Sequence, residues 1–138
     1  MTSTDIPASG LANAAIYYQV DAFNAARDKV MGRHMAGATF LDGFVRHAKT
    51  ELIAGTVRTQ NDADGFLQQV HAIAAAHGLP KPNARALAET NHQAFTDIGC
   101  VFLPDPGIQR FAWQRRAFGQ RRYSLCGITH TIASAGPM

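Results

Sequence analysis

At 138 residues the chain is long enough for one domain with a single core, and its 46% hydrophobic and 17% charged residues exclude a disordered or fibrous protein. A net charge of +3 is only mildly basic, so overall charge does not by itself mark a nucleic-acid binder. Residues 1–13 are polar and small with no basic segment before an apolar run, and no stretch reaches the roughly 18 apolar residues of a bilayer span, which makes a cytoplasmic chain, neither secreted nor membrane-spanning, the expectation.

Taken in chain order, 14–20 (AAIYYQV) is a short β-favouring run and the expected first strand. MGRHMAG (31–37) reads as a glycine-containing loop. It leads into a helix on which Phe40, Leu41, Phe44, Val45 and Ala48 recur at helical spacing. Thr50 to Val57 is a second strand, weakened by Gly55 at an interior position. Asn61 or Asp62 offers a cap for the clearest helix of the chain, whose face of Phe66, Leu67, Val70, Ile73 and Ala74 runs until Gly78.

LPKPN (79–83) must be a loop, because Pro80 and Pro82 remove donors and disfavour helix before them. Residues 84–98 are ambiguous and helical in part. GCVFLP (99–104) reads as a buried strand, Asp105 and Pro106 open a helix through Ile108, Phe111, Ala112 and Arg115, and Tyr123 to Thr129 closes the series as another buried strand. This alternation predicts an α/β domain over 14–138, a Rossmann-like parallel sheet with flanking helices.

The chemistry is sparse. Cys100 and Cys126 lack CxxC spacing and are expected as buried, reduced thiols. Histidines 34, 47, 71, 77 and 92 form no HxxxH or HExxH pair, so no metal site is indicated, and no cofactor is implied. In an open parallel sheet ligands gather outside the carboxyl ends of the strands. Two segments are expected there. Gly32 to Gly37 precedes a helix and could receive an anion on its backbone N–H groups, although turn and packing glycines read the same way. Thr129-His130-Thr131 ends an apolar strand, where the imidazole could bond a sugar hydroxyl or stabilise developing charge; a structural histidine is the alternative. Arg110, Arg115, Arg116, Arg121 and Arg122 fall within one short stretch and could meet phosphates or an anionic membrane surface, or could simply be a solvated face. No RRM, KH or helix-turn-helix signature accompanies them, so no specific nucleic acid is expected.

MGRHMAGATFLDGF near the start and RRYSLCGITHTIAS near the end together resemble the N-terminal domain of bacterial retaining glycosyltransferases of the two-Rossmann-domain (GT-B) kind, related to mannosyl- and glucosyltransferases. The resemblance implies a partial N-terminal half of that fold. In a complete enzyme it would move a hexose from a nucleotide sugar to an acceptor with retention. By similarity, Gly32, Ala36 and Gly37 belong to the loop that lets acceptor and donor phosphate approach. His130, flanked by Thr129 and Thr131, contacts the transferred sugar near its reacting carbon. The family's donor diphosphate is gripped by a C-terminal domain with an E-x7-E segment, to which nothing in this sequence corresponds; the chain alone is therefore expected to be inactive and prone to self-association, with a location peripheral to the inner membrane as one expectation. The rival reading is a non-enzymatic α/β module that binds a phosphorylated ligand or a protein partner.

Overall fold

Short apolar strands without polar alternation need a helix over each face, and parallel sheets with crossover helices supply that cover. The computed structural model of the chain describes residues 13–20, 32–104 and 108–127, the side chains of 32–36 excepted, and has this arrangement. Strands β1 (Ala15–Tyr17), β2 (Ile53–Val57), β3 (Ala84–Ala88), β4 (Cys100–Leu103) and β5 (Ser124–Gly127) form one sheet in the order β3-β2-β1-β4-β5. All four pairings are parallel. Among the described residues the helices are α1 (Gly32–His47), α2 (Gln60–Ala76), α3 (His92–Ile98) and α4 (Gln109–Phe118). The expected Rossmann-like α/β fold is thus present, and Tyr17, Ile53, Phe102 and Leu125 do lie on neighbouring parallel strands.

Successive strand residues point to opposite faces, so each strand feeds two cores. On one face Ile16, Ile53, Val57 and Phe102 pack with Leu41 and Val45 of α1 and with Phe66, Val70 and Ala74 of α2. On the other, Ala15, Tyr17, Ala54, Val101 and Leu103 pack with Phe95 of α3, Phe111 of α4 and Tyr123. Phe66, Phe95 and Phe111 are almost fully buried and anchor their helices, each contributing on the order of 2 kcal/mol of hydrophobic burial.

Several local expectations change. The second strand begins at Ile53 because Thr50 turns the chain first, its hydroxyl donating to the Leu52 carbonyl at 3.0 Å. The cap of α2 is Thr59, in extended conformation, and its hydroxyl accepts from the Asp62 N–H; Asp62 is the third helical residue and returns the bond by accepting from the Thr59 hydroxyl at 2.8 Å. Residues 84–88 form a full strand although three of the five are alanine. Five paired positions on β2 override that weak propensity. Only 92–98 of the ambiguous stretch is helical, between the Asn91 cap and Gly99, whose φ of +98° ends it. The described part of α4 starts at Gln109, and its expected opening at Asp105 and Pro106 lies outside the described residues. The last strand is not buried: Ser124, Cys126 and Gly127 are exposed, because β5 is a sheet edge. Consequently Cys126 is exposed and Cys100 only half-buried, both as free thiols.

Gly55 has a packing reason for its place in β2. A Cβ there would stand 2.8 Å from Phe66 Cε1, so the bare backbone admits the ring that carries α2 onto the sheet. The same ring meets Tyr18 edge-on at 5.4 Å. Gly55→Ala is expected to cost about 1–3 kcal/mol through overpacking, read as a lower urea midpoint, and Phe66→Leu in the same chain should recover part of that loss. Equal midpoints for wild type and Gly55→Ala would refute the close-packing account.

Candidate functional site

The order β3-β2-β1-β4-β5 places the switch of chain direction between β1 and β4. From β1 the chain steps outward to β2 and β3, then crosses back to β4 on the other side. A crevice opens at such a point at the carboxyl ends of the strands. Polar residues come directly after each strand there. Gln19 lies two positions beyond β1, Arg58 and Glu89 immediately follow β2 and β3, and Arg110 lies in the first turn of α4 after β4.

These four side chains and Tyr17 form a connected row. The Glu89 carboxylate stands 3.3 Å from Arg110 Nη2 and 3.7 Å from Arg58 Nε. Arg110 also lies over the rings of Tyr17 and Phe111, 5.2 and 5.1 Å from their centroids. The Tyr17 hydroxyl accepts from the Gln19 amide at 3.1 Å. The ion-pair distances exceed the 2.7–2.9 Å of tight charged hydrogen bonds. Accordingly, Glu89 Oε2 is buried without an aligned hydrogen-bond donor, and so is the hydroxyl of Thr56, which sits in register with Tyr17.

On the other side of β1 a cavity of about 230 Å³ is lined by Gln19, Val20, Asn61 and Asp62. The capping bonds of α2 build it. Asp62, already held by Thr59, also accepts from the Val20 N–H at 3.0 Å and ties the exit of β1 to the start of α2. Below it the Tyr18 hydroxyl donates to Gln69 Oε1 at 2.7 Å. Burial, reinforced by the Asp62 carboxylate, pushes the Tyr18 phenol up to about 12.

The residues expected from sequence meet this edge unevenly. Gly32, Ala36 and Gly37 are not loop residues; they occupy the first turns of α1, and the described glycines with positive φ are Gly78, Gly99 and Gly119. The turn signal of two glycines is absorbed by a helix because the apolar spacing that follows continues without a break through Val45. Thr129, His130 and Thr131 lie outside the described residues, beyond the carboxyl end of β5 at Gly127. The arginine cluster divides. Arg110 joins the edge row, Arg115 donates to the Tyr123 carbonyl at 2.6 Å, and Arg116, Arg121 and Arg122 are exposed. Among the described residues no helix is long and apolar enough to cross a membrane, and no group of three or more His, Cys, Asp or Glu side chains could hold a metal ion.

Arg58 and Glu89 were not legible as site residues. Their signal is positional, a charged residue directly after a strand, and for Glu89 that signal depends on recognising the alanine-rich β3. Comparison of the chain with protein-family models, with curated proteins and with solved structures finds no match.

The raised Tyr18 pKa makes a pH prediction. The folded chain keeps the proton above the ordinary tyrosine value of 10.0, so the stabilisation is complete below pH 10 and is lost as pH rises toward 12. Urea unfolding across that window should show wild type losing roughly 2–3 kcal/mol more than Tyr18→Phe, which has no proton to release. Parallel pH profiles for the two proteins would contradict the assignment.

Proposed function

We propose that this chain is the sugar- and acceptor-facing half of a retaining nucleotide-sugar glycosyltransferase, and that the polar row at the carboxyl edge receives hydroxyl groups. The observation that carries the reading is Glu89, a partly exposed carboxylate at the carboxyl edge of the sheet, flanked by two guanidinium groups at 3.3 and 3.7 Å. A carboxylate that stays partly exposed can accept from a ligand hydroxyl, and the nearby amide of Gln19 and phenol of Tyr17 are suited to the same chemistry.

Charge supports a neutral ligand at this wall. Among the described edge residues Arg58 and Arg110 both pair with Glu89, and Asp62 adds a second carboxylate near the exit of β1, so two positive groups meet two negative ones without the surplus of cations that a diphosphate needs. This agrees with a division of labour in which the donor diphosphate is held by another domain. In this reading His130 contacts the transferred sugar and helps to stabilise the oxocarbenium-like centre, while Gly32, Ala36 and Gly37 flank the approach of acceptor and phosphate. The sequence resemblance supplies those roles.

Titration of the purified chain with nucleotide-activated glucose and mannose and with the free sugars, followed by NMR, is the test. Amide signals of Gln19, Arg58 and Glu89 should move, and Glu89→Gln should weaken binding about tenfold or more, the effect of removing a charged hydrogen bond. No shift at this edge, or unchanged affinity in a folded Glu89→Gln, would overturn the proposal. Sugar transfer by the chain alone is not expected, because positioning of the donor can supply effective molarities of ~10⁵ M or more.

A further inference from the structure

A second cavity, of about 350 Å³, shares no lining residue with the edge row. It lies between the residues that open α3 and those that close α4, and Thr90, Asn91, His92, Phe118 and Arg122 are among its walls. We infer that this cavity binds a small aromatic anion, with the open surface of Phe118 as stacking platform and Arg122 as counter-charge. The inference is independent of the glycosyltransferase reading.

Phe118 is 49% exposed, yet its ring is held in place. His92 stacks on it at 3.9 Å, with 24° between the planes. His92 is fixed in turn by Nδ1, 3.2 Å from the Tyr123 hydroxyl, and by an edge contact with Phe95. One side of Phe118 is therefore occupied, and the half-exposed residue lines the cavity with what remains. Arg122 has no carboxylate partner among the described residues. Its stem lies across Gly119, where an added Cβ would meet Cγ at 3.2 Å and Nε at 3.5 Å, so the glycine leaves room for the stem.

Polarity limits the ligand to low charge. Burial lowers the pKa of His92, leaving its imidazole neutral at neutral pH and Arg122 as the cation among the lining groups. Asn91 spends its side-chain oxygen on the Ala94 N–H, so its amide N–H groups remain as donors, together with the Thr90 hydroxyl. One guanidinium, two neutral donors and an apolar ring fit a planar ring bearing a single carboxylate or phosphate.

NMR titration of the whole chain with phenyl phosphate, benzoate, phenol and inorganic phosphate tests this. Phenyl phosphate or benzoate, their relative affinities distinguishing the acid group, should shift the ring signals of His92 and Phe118. Phenol and inorganic phosphate should bind at least about tenfold more weakly, since each lacks one half of the recognition. Arg122→Gln and Phe118→Leu should each reduce affinity for the better probe by about tenfold, with circular dichroism and urea midpoint confirming the fold. Wild-type affinity in folded Arg122→Gln, inorganic phosphate binding as tightly as the aromatic probes, or shifts confined to the Arg58–Glu89 row would each overturn the inference.

Discussion

Everything in this domain is arranged around the burial of β1 on both faces. Ala15 and Ile16 are fully buried and Tyr17 nearly so, although the strand has only three residues. So short a strand contributes few ladder bonds of its own, and its position depends on β2 and β4 at its sides and on helices above and below. Ile16 requires α1 and α2 on one face; Tyr17 requires α4 on the other, where its ring meets Phe111 edge-on at 5.5 Å. That requirement puts α1 and α2 on one face and α3 and α4 on the other, and creates the switch point beside β1.

The same packing organises the polar edge. Phe66 can reach the sheet because Gly55 has no side chain, and the helix it anchors begins with Thr59 and Asp62. Asp62 then fixes the exit of β1 through the Val20 N–H. Across the strand, Phe111 anchors α4 and so delivers Arg110 over Tyr17 and toward Glu89. The ion pairs of the row are partly exposed and long, so they add little to stability. Their value is chemical, because they present carboxylate, guanidinium, amide and phenol groups along one crevice with their charges nearly balanced.

Two of the arginine–aromatic contacts of α4 have different consequences. Arg110 is drawn inward, over buried rings and against a carboxylate, whereas Arg116 lies over the exposed Trp113 at 4.7 Å and remains on the surface. A run of arginines that reads in sequence as one basic patch therefore serves several purposes. Arg115 satisfies a backbone carbonyl at the entry to β5, and Arg122 closes a cavity between helix ends.

The fold class, four of the five strand runs and the core face of α2 can be read from the residues alone, because apolar spacing and turn residues are local signals that survive without knowledge of partners. The sequence also located the stop of α2 near Gly78, whose φ is +66°. It did not reveal β3, since ARALA has little intrinsic strand preference and becomes a strand by pairing along β2. Nor did it reveal that Gly32–Gly37 is helical, that β5 is an exposed edge, or that Arg58, Glu89 and Arg110 converge. Those features follow from which strand lies beside which and which helix covers each face, and they emerge on folding because residues 58, 89 and 110 become neighbours through the sheet and not along the chain.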